Sequence, residues 1–494
     1  MTDSLILAID QGTSSTKSII FDGKGKAVIK ASEPLKTHYL EAGFVEQDPE
    51  EIYSNVLASV KDCIQNFKAG GGIAANIKVC GISNQRETFV IWNKAGKPLY
   101  NAVVWQCKRS VDICNDLLQK GLEDEIKSKT GLIIDPYFSG TKLLWLYNNV
   151  TEIHNAINNG DAYFGTVDTW LLYKLTKGRS YYTDYTNASR TLFFNLKSLN
   201  WDMEILEQFG LSKLNLPEPK PSSFLYGETD FEGLLDHPVS ISSMIGDSHA
   251  AAFGEGCFNP GTAKATLGTG CSILMNIGNR AKESANGMIT TVCWSTEDRV
   301  DYAFEGVIVS CGSTIEWLKN ELGLFTDSKE TDEMAGCVVN NNGVYLIPAF
   351  SGLGAPYWQM GRKASISGLT FDCNKNHIVR AALESIAFQI KDVVYAMQED
   401  ADINLKELMV NGGITSNNFV LKFLAGLLEL PVIKRDMADV SALGAAYLAG
   451  LKAGIYKDFE HLASLGDNRT EVKMDNGQQY KTYYQEWKAI VAKE

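Results

Sequence analysis

The sequence predicts an α/β protein made of two similar halves with a cleft between them. Two patterns predict it: short apolar runs alternate with longer helical stretches, and one strand–turn–strand motif occurs twice. The chain has 494 residues, and a single hydrophobic core stops growing at roughly 250–300 residues, so more than one domain is expected.

Strands are predicted where short apolar segments are bounded by turn residues. These segments are 5–9, 18–21, 78–82, 89–92, 263–267, 273–276 and 345–348. Helices are predicted at 49–65, 377–397, 417–428 and 441–452. The first helix follows Asp48, an expected N-cap, and opens with Pro49 and two acidic residues in its first turn.

The repeated motif divides the chain. Residues 6–15 and residues 263–271 each read as a strand that ends in a tight Gly-Thr turn before a second strand. One copy opens each half, which indicates a duplicated domain. Turn residues at 254–260 place the boundary there, so we expect an N-terminal domain over 1–253 and a C-terminal domain over 254–494.

Charge and composition exclude several classes of protein. There are 46 Lys and Arg against 59 Asp and Glu, a net charge of −13, which argues against nucleic acid as a partner. The negative net charge does not exclude small anionic ligands, because a few backbone N–H groups can bind phosphate. No stretch of about 18 apolar residues or signal peptide is recognised. The ten cysteines contain no CxxC pair, so a reduced, cytoplasmic protein is expected.

The first hairpin turn is suited to phosphate. Gly12 allows close approach, and three neighbours supply hydroxyl and N–H groups: Thr13, Ser14 and Ser15. Asp10 ends a strand and could hold a hydrated Mg²⁺, and Lys17 could neutralise charge. The turn at Gly268 and Thr269 has the same character. An ordinary hairpin turn is the alternative for both, because these residue types are common there.

Asp247 follows a predicted strand and precedes a small-residue run. It could accept the proton of a hydroxyl that attacks a γ-phosphate, or it could simply cap a helix. Asn417 could likewise contact adenine, although helix capping is its commoner role. Arg86 and Glu87 could donate to and accept from a diol while Trp105 packs its carbons. A surface ion pair and a core tryptophan are the alternatives.

No P-loop, protein-kinase, zinc-protease or G-x-S-x-G motif is present. Instead, a series of segments along nearly the whole chain resembles the FGGY carbohydrate kinases. Within that family, the segments resemble the glycerol kinases most. The matching segments are 8–15, 81–88, 100–107, 134–142, 164–170, 183–191 and 348–358.

The resemblance implies two actin-like, ribonuclease-H-like domains that close over ATP, Mg²⁺ and a small polyol. It implies that Asp247 is the catalytic base and binds the metal together with Asp10. The implied ATP-binding residues are Thr13, Ser14, Ser15, Lys17, Gly268, Thr269, Gly312, Gly413 and Asn417. The implied polyol-binding residues are Arg86, Glu87, Trp105, Tyr137 and Asp247. A homodimer or homotetramer is compatible with it.

Three residues depart from the glycerol kinase pattern. Ser248 stands where Gln is usual and Ser272 where an aromatic residue is usual, and Lys17 replaces the common Arg. The resemblance implies glycerol as the principal substrate. The two serines predict a wider, more polar pocket, which makes a tetritol or ketopentose the alternative, accepted alongside or instead of glycerol. An actin-like ATPase without a small acceptor, or a kinase-derived sensor, are remoter alternatives.

Overall fold

The computed structural model describes residues 4–435, 437–465, 469–473 and 477–493, and two large sheets form its frame. The first sheet has six strands, in the spatial order Ser223–Thr229, Val239–Gly246, Ile77–Asn84, Leu5–Gln11, Ser15–Phe21 and Ala27–Pro34. The second has seven, in the order Ile289–Ser295, Val300–Ile308, Cys271–Gly278, Thr262–Leu267, Glu407–Asn411, Val432–Arg435 and Arg469–Glu471.

Both sheets share one central arrangement. Leu5–Gln11 pairs antiparallel with Ser15–Phe21 and parallel with Ile77–Asn84. In the second sheet, Thr262–Leu267 pairs antiparallel with Cys271–Gly278 and parallel with Glu407–Asn411. A third antiparallel strand and a second parallel strand extend each set in the same way. The predicted duplication and the α/β, ribonuclease-H-like fold class are confirmed.

Smaller sheets complete the first half and the connections. A five-stranded sheet contains His38–Tyr39, Val45–Gln47, Ala102–Val103, Phe89–Asn93 and Ala162–Thr166. Three two-stranded sheets pair Tyr182–Asp184 with Glu218–Lys220, Phe194–Asn195 with Asn200–Trp201, and Tyr345–Ile347 with Ser365–Ser367. All seven predicted strand segments lie in or overlap observed strands.

Helices cover the sheets. The α-helices are Pro49–Ala69, Val111–Gln119, Glu123–Thr130, Ser139–Asn149, Thr151–Asn159, Val167–Leu175, Tyr185–Ala188, Met203–Gln208, Asp247–Gly254, Gly312–Asn320, Glu330–Gly336, Lys375–Ala401, Asn418–Leu428, Val440–Lys452, Phe459–Ser464 and Gln478–Lys493. The four predicted helices are present, and Asp48 caps the first by accepting from the Glu50 N–H at 2.9 Å. Within the described ranges, no helix has the length and apolar character needed to cross a membrane.

One helix from the end of the chain packs on the first half. Val440–Lys452 lies against the six-stranded sheet and against the helix Asp247–Gly254. The approach is so close that a Cβ atom built on Gly444 would lie 1.9 Å from the Ala250 carbonyl oxygen. The buried apolar cluster around these helices joins Ile6 of the first half with Trp294 of the second. The helix that begins with Asp247 is therefore fixed by both halves.

Candidate active site

A cavity of about 1230 Å³ is lined by residues of both halves. Eleven of the predicted site residues line it: Thr13, Arg86, Glu87, Trp105, Tyr137, Asp247, Ser248, Gly268, Thr269, Ser272 and Gly413. The predicted residues that lie outside its lining are Asp10, Ser14, Ser15, Lys17, Gly312 and Asn417. The two hairpins and the predicted polyol residues thus meet at one place.

Asp247 begins the helix Asp247–Gly254, directly after the strand Val239–Gly246. Gly246 is the N-cap residue, so the alternative that Asp247 caps the helix is wrong. Its Oδ1 atom accepts the Ser248 N–H at 2.6 Å and lies 3.5 Å from Arg86 Nε. Burial raises the pKa of Asp247, and the charge of Arg86 opposes that rise. The side chain is 40% exposed, so a ligand can reach it.

Asp10 is close enough to Asp247 for the charge of one carboxylate to affect the pKa of the other. Burial, followed by the charge of Asp247, raises the pKa of Asp10 to about 6, while the Ser83 hydroxyl donates to its Oδ1 at 3.0 Å. A divalent cation would relieve the repulsion between two such carboxylates. The part of the chain that the structure describes has no cluster of three or more His, Cys, Asp or Glu that could hold a metal.

The first hairpin is tied to the polyol side of the cavity. Trp105 Nε1 donates to Thr13 Oγ1 at 3.0 Å, and Gln47 Nε2 donates to the Thr13 carbonyl at 2.8 Å. Lys17 on the return strand forms an ion pair with Asp439 of the second half, with Nζ 3.0 Å from Oδ1. Lys17 therefore joins the halves, and its contact with phosphate stays a prediction.

Glycines allow two loops to approach the second hairpin. The Gly312 N–H donates to the Gly268 carbonyl at 2.9 Å, and a Cβ atom on Gly312 would lie 2.7 Å from that oxygen. Gly412 has a φ of 98°, and its Cβ would lie 2.4 Å from the Leu267 carbonyl oxygen. Asn417 caps the helix Asn418–Leu428 by accepting from the Val420 N–H at 3.0 Å. The capping interpretation is confirmed, and the nucleotide contacts of Gly312 and Asn417 stay predictions.

Arg86 and Glu87 belong to a buried ion network, so the alternative of a surface ion pair is wrong. Arg86 Nη2 donates to Glu305 Oε1 at 2.8 Å. Arg190 binds both acids, with Nε 2.5 Å from Glu87 Oε1 and Nη1 2.5 Å from Glu305 Oε2. Although burial acts in the opposite direction, Arg190 and Arg86 hold the pKa of Glu305 well below its usual range.

The aromatic side of the cavity is fixed by a buried lysine. The rings of Trp105 and Tyr137 meet edge to face, with centroids 5.6 Å apart. Lys142 Nζ donates to the carbonyl oxygens of Tyr137 at 2.7 Å, Pro136 at 2.9 Å and Trp105 at 3.3 Å. Burial lowers the pKa of Lys142 to about 8. One ammonium group therefore positions both segments that carry the aromatic rings.

The two departing serines have partners inside the protein. Lys264 Nζ donates to Ser248 Oγ at 2.6 Å, and Ser272 Oγ donates to Glu305 Oε1 at 3.1 Å. The two hydroxyl oxygens are 3.3 Å apart. The cavity wall is polar here, as expected. A substrate longer than glycerol is therefore not needed to supply hydrogen-bond partners for these two hydroxyls.

Four buried charged residues of the site escaped the sequence interpretation: Lys142, Arg190, Lys264 and Glu305. Two of them carry a signal that could have been used, because Lys264 and Glu305 interrupt apolar strands. A charged residue at such a position is almost never buried unless it is paired or functional.

Two ribonuclease-H-like halves, with a hairpin from each half at a shared cavity and an acid at a helix start, define a phosphotransferase of the actin-like class. The model of the FGGY family of carbohydrate kinases, N-terminal domain, matches residues 5–254, and the model of its C-terminal domain matches residues 263–453. The chain belongs to the FGGY family of carbohydrate kinases. The predicted resemblance and the predicted kinase class are confirmed.

The similar proteins include glycerol kinases along the full chain. A glycerol kinase of Carboxydothermus hydrogenoformans is 44% identical over 496 residues, covering 100% of this chain and 98% of the relative. Glycerol kinase 2 of Thermotoga maritima is 45% identical, with 99% and 98% covered. A crystal structure of Plasmodium falciparum glycerol kinase with ADP superposes with a TM-score of 0.93 at 36% identity, with 99% of this chain and 98% of that chain covered.

Proposed function

We propose that this protein transfers the γ-phosphoryl group of ATP to a terminal hydroxyl of glycerol, which gives glycerol 3-phosphate and ADP. The observation that carries the proposal is the arrangement of Asp247 beside Arg86 and Glu87, in the cavity that Trp105 and Tyr137 line. The names of the full-length relatives support glycerol as the acceptor.

The buried ion network is suited to hydroxyl recognition. Arg86 Nη1 is buried, and among the described residues it has no hydrogen-bond partner. A substrate hydroxyl can accept from it while donating to the carboxylate of Glu87. Trp105 covers the carbon chain. An actin-like ATPase without a small acceptor would have no use for this wall, so the kinase is favoured.

Asp247 is the proposed base. Its carboxylate accepts the proton of the hydroxyl as that oxygen attacks phosphorus in line with the leaving ADP oxygen. Backbone N–H groups of the hairpin turns at Thr13 and Thr269 would stabilise the phosphoryl oxygens. The close packing of the helix Asp247–Gly254 holds the base in place during the step.

Mg²⁺ is the proposed divalent ion, held by Asp10 and Asp247 together with ATP. When bound, it neutralises charge on the phosphate oxygens. We place the enzyme in the cytoplasm, with ATP and a small polyol as its binding partners and no nucleic acid. A homodimer or homotetramer remains our expectation for its assembly.

A coupled ADP-release assay tests the proposal with glycerol, tetritols and ketopentoses as acceptors. We expect glycerol to be turned over best, because Ser248 and Ser272 are already satisfied within the wall. If a tetritol or ketopentose is turned over better than glycerol, that compound and not glycerol is the substrate. ADP release that is independent of any acceptor would favour the ATPase.

Asp247→Asn tests the base. We expect kcat to fall by a factor of about 10²–10⁴, because general base catalysis is lost, with ATP-analogue binding nearly retained. Asp116→Asn, at an exposed i,i+4 ion pair with Lys120, is the matched control. Wild-type turnover by the Asp247→Asn variant would remove Asp247 from this role.

A further inference from the structure

Lys264 lies where the two halves meet at the cavity. It belongs to the strand Thr262–Leu267, which leads directly into the turn at Gly268 and Thr269. Its side chain is buried, with 1% of the residue exposed, and it lines the cavity. Its ammonium group contacts Ser248, the residue after the proposed base. Lys264 thus links the residue after the proposed base to the strand that leads into the proposed phosphate-binding turn.

The partners of this ammonium group are neutral. Nζ donates to Ser248 Oγ at 2.6 Å and to Thr266 Oγ1 at 3.0 Å. Within the described ranges, no Asp or Glu oxygen forms an ion pair with it at 4.0 Å or less, whereas Arg86 and Arg190 both pair with Glu305. An ammonium group has three N–H donors, so one of them has no acceptor among the described residues.

The direction of the neighbouring hydrogen bonds fixes this lysine as a donor. Ser272 gives its single hydroxyl proton to Glu305, so in the Ser248–Ser272 contact Ser248 must be the donor. Ser248 can then only accept from Lys264. The chain of contacts from Lys264 through both serines to Glu305 therefore holds the ammonium group in place without neutralising it.

We propose that the Lys264 ammonium group binds the phosphoryl oxygens during transfer and in the phosphorylated product. This rests on the proposed kinase function. The phosphoryl group must lie between the hydroxyl that Asp247 deprotonates and the turn at Gly268. Lys264 lines this cavity, contacts Ser248 beside Asp247, and belongs to the strand that leads to that turn. A buried cation without a counter-ion is costly, and the arriving anion removes that cost.

The electrostatic environment agrees with an anion site. Burial, together with the charge of Arg86, lowers the pKa of Lys264, while Glu305 and Asp247 act in the opposite direction. A phosphoryl anion beside Nζ would favour the charged form, so binding and protonation support each other. Neutral glycerol gains nothing comparable from this group.

The test compares a charged with an uncharged ligand. Isothermal titration calorimetry measures the Kd of glycerol and of glycerol 3-phosphate for the wild type, Lys264→Met and Lys264→Gln, without nucleotide. We expect the affinity for glycerol 3-phosphate to fall at least about tenfold, the loss of one charge-assisted hydrogen bond, with glycerol affinity changed by less than about threefold. Lys264→Arg should recover part of the difference.

Lys434→Met is the matched control. Lys434 also lines the cavity, but its Nζ donates to the Thr415 carbonyl at 3.0 Å. If this control loses as much glycerol 3-phosphate affinity as Lys264→Met, the effect is the general charge of the cavity and the proposal is wrong. Equal losses for glycerol and glycerol 3-phosphate in both Lys264 variants would also overturn it, as a purely structural role.

The wild-type acceptor panel separates the two proposals. If another polyol is the substrate, that polyol and its phosphate monoester replace glycerol and glycerol 3-phosphate in the titrations. If the wild type phosphorylates glycerol but the variants discriminate the two ligands as the wild type does, only the role of Lys264 fails.

Discussion

At the scale of single residues, the site depends on charges that are placed close together and kept from water. Asp10 and Asp247 repel each other enough to affect the pKa of Asp10. Glu305 instead accepts hydrogen bonds from Arg86, Arg190 and Ser272. The carboxylate pair is prepared for a cation that arrives with ATP, whereas Glu305 is satisfied within the protein.

The carboxylate of Asp10 predicts a pH dependence of metal binding. Its pKa is raised to about 6, so the proton is retained below pH 6 and competes with the metal. Affinity for Mg²⁺ should therefore weaken as pH falls through 6, which the Mg²⁺ dependence of kcat/KM between pH 5 and 8 measures. Asp10→Asn should remove this dependence together with most metal affinity. A constant Mg²⁺ affinity across that range would contradict the prediction.

Sequence reasoning found the residues of the site that stand in turns and at element ends. Asp247, Arg86 and Trp105 were predicted because each follows a strand or lies in a distinct polar segment. Lys264 lies in a predicted strand to which no function was assigned, and Glu305 lies in a strand that was not predicted; only the tertiary structure shows which charges face each other. The Lys17–Asp439 pair joins positions more than 400 residues apart, which no local pattern can reveal.

At the scale of elements, the helix pair Asp247–Gly254 and Val440–Lys452 determines where the base lies. The sequence showed a small-residue run after Asp247 and a helix at 441–452, but sequence periodicity does not say which elements contact each other. The structure shows the reason for the small residues: Gly254 and Gly444 lie against backbone carbonyl oxygens of the facing helix. Hydrophobic periodicity is a local property of the sequence. It therefore predicts individual strands and helices, but it does not predict which of them pack together.

Gly444→Ala should force this helix pair apart, because its Cβ atom would lie 1.9 Å from the Ala250 carbonyl oxygen. We expect the free energy of unfolding to fall by about 1–3 kcal/mol, the usual cost of overpacking, and kcat to fall because Asp247 moves. Urea unfolding and the ADP-release assay measure the two effects. Gly336→Ala is the control, because in the described structure no atom lies within 4 Å of its added Cβ. A Gly444→Ala variant as stable as this control would refute the packing argument.

At the scale of the whole molecule, the two halves have a common core. The helix Val440–Lys452 covers the sheet of the first half, and one buried cluster contains side chains from both halves. The buried pairs of Arg86 and Arg190 with Glu305 cross between the halves as well. Although the two halves have the same topology, they are therefore not structurally independent of each other.

This predicts that the chain unfolds in one cooperative transition. Residues 1–253 produced alone should lack a cooperative thermal transition, because the sheet face covered by Val440–Lys452 is left exposed to water. Calorimetry of the full chain and circular dichroism of the fragment measure this, with the fragment mixed with residues 254–494 as the control. Two separate transitions in the full chain, or cooperative melting of the fragment alone, would disprove it.

The ion network around Glu305 has a consequence for how such enzymes diversify. Arg86, Arg190 and Glu87 come from one half, whereas Glu305, Ser272 and Lys264 come from the other. A chimera that combines halves of two family members would transplant only part of a binding pocket and leave buried charges without partners. Acceptor preference in this architecture should therefore change through paired substitutions, one in each half. Recombination that joins halves from different family members should be selected against.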